Sequence, residues 1–317
     1  MANHKIQRLL AFALGLTMVL AASLSAVVKP RPAPSEPVAI KLDHALVCVS
    51  NLSAVRHGFA SVGLRSDYGG PHPGAVTQMA LVGFPDHTYI GLMAPIKPPA
   101  PAGADWAKSM NGNIGSCAWA AYVPDIMHAV ERISSLGIKT SKPAPGARKR
   151  PDGILLKWER ANLGRGEPGA ELPFLIQDIT PRNYRGHVSA STRGTDLTGV
   201  KIVVLGVKDM DSGIALFRHV YGWSAPELKT DARFGAKLAY FKGTPVILSA
   251  PLTPSSWLSA RLARFGNCPI GFLMGTSNFQ TTASRFSLPA ATQWFGWKVS
   301  WFDPQKLDGV RLGIIGR

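Results

Sequence analysis

Residues 42–63 read LDHALVCVSNLSAVRHGFASVG, and the order of elements in this stretch decides the fold. Leu42–Ser50 is a strand-like run rich in Val and Leu, ended by a turn residue. Leu52, Val55, Phe59 and Val62 follow at offsets 0, 3, 7 and 10, one apolar stripe of an amphipathic helix. The same arrangement recurs along the chain. Asn51-Leu52, Asp125-Ile126 and Asp209-Met210 each end an apolar run, and Gly63, Gly137 and Gly222 close the segments 12, 12 and 13 residues later. Ser277-Asn278-Phe279 begins a weaker fourth copy. A unit repeated four times makes a chain of modules that pack on one another.

Further strand candidates complete each module. Thr77–Phe84 and Thr88–Ala94, joined by the turn sequence Pro85-Asp86-His87, finish the first. In the second, Ser116–Val123 precedes a helical stripe of Ile126, Ala129, Ile133 and Leu136, and Ile154–Arg160 and Pro173–Asp178 are later strands. A Pro/Gly/basic loop, Lys142–Gly153, connects that helix to its strands. The third module opens at Val200–Val207 and closes at Val246–Ser249; the fourth runs from Ile270–Gly275 to Val310–Ile315. Arg182–Asp196, polar and rich in Gly and Arg, reads as the linker between the two pairs. One strand–helix–strands unit cannot bury its apolar sheet face alone, so four units imply two paired α+β domains, each with a concave sheet as its natural pocket.

The N-terminus has the order of a targeting segment. Lys5 and Arg8 precede an uncharged run from Leu9 to Val28, whose end is crowded with small residues at Ala21, Ala22, Ser23, Ser25 and Ala26. The run also has the length needed to cross a bilayer, so residues 1–28 are either a cleaved signal peptide or a membrane anchor. Either places the folded body outside the cytoplasm, with a Pro-rich spacer over residues 29–40. The net charge is +16, of which Lys5 and Arg8 supply two. Export and the dispersal of the basic residues argue against a nucleic-acid partner and leave anionic small molecules or an anionic envelope. Cys48, Cys117 and Cys268 all lie in apolar runs and read as buried thiols. The chain has no Gly-rich phosphate loop, no His-Glu-x-x-His and no Gly-x-Ser-x-Gly elbow, which removes support for nucleotide hydrolysis, zincin and esterase chemistry.

Across Lys41–Arg317 the chain resembles the glyoxalase-like proteins of the vicinal oxygen chelate superfamily. The resemblance rests on Leu42-Asp43-His44, Gly70-Pro71-His72-Pro73-Gly74, Arg148-Lys149-Arg150-Pro151-Asp152-Gly153, Leu156–Arg160 and Leu172–Asp178 followed by Thr180-Pro181-Arg182. It implies four βαβββ modules arranged as two paired glyoxalase/bleomycin-resistance-type domains. The first would span residues 41–181 (modules 42–95 and 114–181), and a degenerate second one residues 197–317. The resemblance also implies a divalent metal held by one ligand from the first and last strand of each module. His44 stands at the first of these places and Gln177 at the fourth. Gly91 and the Cys117/Ala118 pair occupy the other two, and Ile202 and Ile247 the corresponding places in the second pair, so the set is incomplete.

The candidate ligand contacts are His44, His72, Arg148, Arg150, Trp158, Arg160 and Gln177. His44 could act in acid–base chemistry, orient a ligand or serve as a structural histidine. His72 sits on a Gly/Pro loop that could lid the cavity, or on a plain turn. Arginine suits carboxylate or phosphate. Strand alternation puts Leu156, Trp158 and Arg160 on one face, which supplies an aromatic wall and a cation if that face is concave. Two functions follow as expectations. One is an exported protein that binds a small oxygenated or anionic molecule without the usual metal. The other is a metal-dependent lyase, isomerase or dioxygenase acting on a small carbonyl or hydroxylated compound.

Overall fold

A computed structural model of the chain describes residues 38–74 and 76–317. The candidate targeting run Leu9–Val28 and the spacer to residue 37 lie outside the described residues. Among the described residues no helix is long and apolar enough to cross a membrane.

The four repeats fold as four modules. The first contains β1 (Lys41–Cys48), α1 (Leu52–Ser61), β2 (Asp67–Pro71), β3 (Thr77–Gly83) and β4 (Tyr89–Pro95). A short α2 (Ala107–Asn111) leads to the second: β5 (Gly115–Tyr122), α3 (Ile126–Ser135), β6 (Ala144–Lys149), β7 (Leu155–Ala161) and β8 (Phe174–Asp178). After α4 (Arg182–Arg185), the third has β9 (Leu197–Gly206), α5 (Met210–Tyr221), β10 (Glu227–Asp231), β11 (Ala236–Tyr240) and β12 (Val246–Pro251). Following α6 (Trp257–Phe265), the fourth has β13 (Cys268–Thr276), α7 (Phe279–Arg285), β14 (Thr292–Trp294), β15 (Trp297–Trp301) and β16 (Leu312–Gly316).

The recurring residue before each helix is its N-cap. The side chains of Asn51, Asp125, Asp209 and Asn278 accept from the backbone N–H of Ala54, His128, Ser212 and Thr281 at 3.1, 3.0, 2.8 and 3.1 Å. Each such cap is worth about 1 kcal/mol against alanine. Gly63, Gly137 and Gly222 take positive φ just past the helices (+85°, +78° and +66°), the conformation that stops a helix cheaply only in glycine. In the fourth copy Ser287 adopts it instead, at φ +50°.

Two eight-stranded sheets result, with identical order: β2-β3-β4-β1-β5-β8-β7-β6 and β10-β11-β12-β9-β13-β16-β15-β14. Each is two modules joined edge to edge through their antiparallel first strands, β1 to β5 and β9 to β13. One face of each sheet packs on the helices, burying Ala45, Val47, Val55 and Phe59 in the first and Val203, Leu205 and Phe217 in the second. The other face is concave. The first sheet curls until its edges meet: Arg148 on β6 donates to the Gly69 carbonyl on β2. A Cβ on Gly70 would sit only 2.8 Å from the Lys149 carbonyl.

Three expectations are corrected here. Cys48 and Cys117 are not free thiols but a disulfide, with Cα atoms 5.7 Å apart. They are 69 residues apart in sequence, and the β1–β5 pairing with its bulge after Leu46 brings them together. Cys268 remains a buried free thiol. The basic loop Lys142–Gly153 contains edge strand β6, so Arg148 lies on a strand. Edge strands β2, β6 and β10 are polar or Gly/Pro-rich, because an edge tolerates missing donors and polar faces, and so they carry no strand signature in sequence. Finally, residues 182–196 are more than a linker. Arg185, Ser189 and Thr192 are buried, and Arg185 reaches the centre of the first sheet.

Candidate functional site

The concave face of the first sheet encloses a cavity of about 360 Å³, toward the small end of the range usual for small-molecule sites. Its position follows from strand parity. On β1, His44, Leu46 and Cys48 face inward while Ala45 and Val47 face the helices; on β8 the inward residues are Phe174 and Ile176. On β7, Leu156, Trp158 and Arg160 share one face, and Trp158 and Arg160 line the cavity. The indole of Trp158 lies against Gly146, its register partner on β6, where a Cβ would clash.

The floor carries a buried ion network. His44 Nδ1 lies 2.5 Å from Asp43 Oδ1. Arg185 donates through Nη1 and Nη2 to the two Asp43 oxygens at 2.6 and 2.9 Å, and through Nε and Nη2 to Asp178 at 2.8 and 2.9 Å. It also donates to the Tyr89 hydroxyl at 3.0 Å. Arg182 Nη1 lies 3.0 Å from Asp43 Oδ2. Burial alone would raise the Asp43 carboxyl; the charge of Arg185 and hydrogen bonds from His44 and Arg185 reverse this and hold it far below the carboxylate range. Burial holds His44 below its usual value, helped by Arg185 and Arg182 and opposed by Asp43, so its imidazole is neutral at physiological pH. The ring stacks on Tyr89 (centroids 4.5 Å apart, planes 6° apart) and meets Phe174 edge-on at 5.3 Å.

The walls are cationic and aromatic. Arg148 is 3% exposed and donates to the Gly69 carbonyl, yet no carboxylate among the described residues pairs with it. Arg160 pairs with half-exposed Asp105 and lies 6.0 Å over the Trp106 ring. His72 Nδ1 is 3.0 Å from Thr77 Oγ1. Burial first, then the charges of Arg148 and Arg160, which line the same cavity, push His72 down to about 4. Leu46, Met79 and Met93 supply apolar surface.

Five of the seven candidate contacts therefore share one cavity: His44, His72, Arg148, Trp158 and Arg160. Two do not. Arg150 binds Asp152 (2.6 Å) and the Tyr184 carbonyl (3.0 Å) on the outside. Gln177 faces the helices, where its Oε1 accepts from Ile126 N at 2.8 Å, because Phe174 and Ile176 hold the inward parity of β8. Asp43, Tyr89 and Arg185 were missed. Asp43 adjoins the singled-out His44 and Arg185 lies three residues past the Thr180-Pro181-Arg182 stretch, but nothing in their spacing announces an ion network.

The donor set does not fit the divalent metal implied by the superfamily. Of the four strand positions only His44 offers a donor to the cavity. At Gly91 a Cβ would meet Leu46 Cδ2 at 2.7 Å, so that space is taken by a leucine. Ala118 and Ala120 face inward on β5, Cys117 is in the disulfide, and Ile176 faces inward in place of Gln177. No three His, Cys, Asp or Glu side chains among the described residues cluster as a metal site.

The paired βαβββ sheets around a concave cavity are the architecture expected of a glyoxalase-like protein. The profile of the glyoxalase-like domain matches residues 42–217, more than half of the chain, and the chain belongs to that family. The match covers the first sheet and runs on through β9 into α5. No curated protein sequence matches the chain. Among solved structures, a hypothetical protein from Staphylococcus aureus aligns with a TM-score of 0.58 at 12% identity, covering 87% of this chain and 98% of that one. Methylmalonyl-CoA epimerase from Mycobacterium tuberculosis aligns with a TM-score of 0.34 at 18% identity over 41% of this chain and 92% of its own. The Streptomyces coelicolor epimerase in complex with 2-nitronate-propionyl-CoA gives 0.33 at 17% identity over 38% and 96%.

Proposed function

We propose that the first-domain cavity binds a small oxyanion, a carboxylate or phosphate ester with a short apolar body, and does so without a divalent metal. The observation that carries this is Arg148: a buried guanidinium on the cavity wall with no carboxylate partner among the described residues. A buried charge left unpaired is costly, and an anionic ligand is the natural partner for it. Trp158 and the methionines would hold the apolar body, and Arg160 would add a second cation at the mouth. The Cys48–Cys117 disulfide supports a place outside the reducing cytoplasm, in line with the basic-then-apolar N-terminal segment.

The experiment is a calorimetric titration of the full chain with sulfate, in the presence of EDTA, beside Arg148→Met. A hydrogen bond to a charged group is worth about 1.5–3 kcal/mol, so the variant is expected to bind roughly tenfold weaker or worse. Equal affinity in the variant would refute the assignment.

A second reading, acid–base catalysis in the same cavity, is favoured by the Asp43–His44 pair. The carboxylate fixes the proton of a neutral imidazole on Nδ1 and leaves Nε2 free to accept a proton from a bound compound. Nitrogen-15 NMR of His44 is expected to show a neutral ring protonated at Nδ1. A proton resident on Nε2 at neutral pH would exclude this role.

A further inference from the structure

The second sheet has a smaller cavity of about 250 Å³ at its rim, between β10, α6 and β15. We propose that it is a separate binding site for a flat aromatic carboxylate, held by Arg311. This site is independent of the first-domain reading and shares no residue with it.

Three observations carry the inference. The Arg311 guanidinium lies 3.7 Å from the centre of the Trp257 ring, and Trp257 is fixed by its own Nε1 donating to the Phe234 carbonyl at 3.0 Å. Stacking of this kind orients a guanidinium and satisfies its face, but not the N–H donors along its edge. Those donors have no hydrogen-bond or ion-pair partner among the described residues, although the group is half-buried against the cavity. Burial and the nearby charge of Arg261 weigh against its charged form, so it would gain from an anion more than a solvated arginine would.

The carboxylate on the cavity wall does not serve as that anion. Asp231 accepts from Phe234 N at 2.9 Å through Oδ1 and from Trp294 Nε1 at 2.6 Å through Oδ2, and it forms no ion pair with Arg311. The remaining walls select the ligand's body. Phe234 and Trp301 stack on each other (centroids 5.2 Å apart, planes 22° apart), and Trp301 and Phe302 line the space. Flat aromatic walls beside one oriented cation suit an aryl carboxylate better than a bare inorganic anion, which could use the cation alone. The volume admits a single small ring compound.

The test is a soak of crystals of the full chain with 4-bromobenzoate, located by bromine anomalous density, for wild type and Arg311→Met. Methionine keeps apolar cover over Trp257 and removes the charge. Density beside Arg311 in wild type that falls several-fold in the variant is the expected result. Absence of density there, density confined to the first cavity, or unchanged density in Arg311→Met would overturn the proposal. Should Arg311→Met not fold, Arg311→Lys keeps the charge and loses the planar stack. Occupancy is then expected to fall while thermal stability stays near wild type, and full occupancy would count against a guanidinium-specific site.

Discussion

The two sheets share one strand order and one module plan, and they differ in what fills the concave face. In the second sheet, Ile202 and Ile247 are fully buried, Trp294 is sealed inside, and Phe234 and Trp301 stack beside it. In the first, the corresponding face holds His44, Tyr89, Arg148 and Arg185 around open space. A filled concave face stabilises by apolar burial, at about 25 cal/mol per Å² removed from water. A hollow one forgoes that and must neutralise every charge it buries. Asp43 and Asp178 do so with Arg185 and Arg182, whereas Arg148 has no carboxylate partner among the described residues. That difference leaves the first sheet a central cavity lined by charge, and the second only the smaller cavity at its rim.

The largest effect expected from breaking this contrast is at Arg185. Replacing it with Met takes the guanidinium from Asp178 and leaves Asp43 with Arg182 and His44 alone, and loss of one partner of a buried pair typically costs about 3–5 kcal/mol. Urea unfolding should show a large fall in midpoint. A change under about 1 kcal/mol would mean that the network is not what holds the hollow face together.

A smaller effect is expected from pH, acting through His72. Its folded value of about 4 lies below the ordinary 6.5, so the unfolded chain takes up this proton first as pH falls. Its contribution to stability is intact above pH 6.5 and is lost on acidification toward 4; His44, also held down by burial, adds to the same slope. Sulfate binding should move the other way and tighten several-fold over that window, because protonated His72 joins Arg148 and Arg160. Urea midpoints and sulfate affinities at pH 7 and pH 5 check the sign, with His72→Gln making the stability trend shallower, since His44 remains, and removing the affinity trend. Parallel trends would remove His72 from the site.

Much of this contrast was legible in the sequence, for physical reasons that can be named. Apolar stripes at helical spacing after Asn51, Asp125 and Asp209 located three helices, since caps and stripes are local signals. The replacement of ligands by Gly91, Ile202 and Ile247 was visible because the resemblance to glyoxalase-like proteins says which strand positions would carry them. Strand parity was not visible. A shift of one residue turns a side chain to the other face, which is why Gln177 was expected in the cavity and Ile176 is found there. Long-range pairings were equally hidden. Cys48 with Cys117 and Asp43 with Arg185 become neighbours only once register and chain path are known. Arg150 and Arg148 looked alike on paper; β6 ends at Lys149, so Arg148 lines the cavity from the strand while Arg150 opens the turn to β7 and pairs with Asp152 outside.

The central claim is that the hollow sheet takes an oxyanion through Arg148 and needs no metal. Sulfate titration of the full chain, before and after metal is stripped and measured by elemental analysis, tests it most directly. Equal affinity in both preparations, with roughly tenfold or greater loss in Arg148→Met, is the result expected. Binding that vanishes with the metal, returns on adding a divalent ion and is abolished in His44→Gln would contradict it.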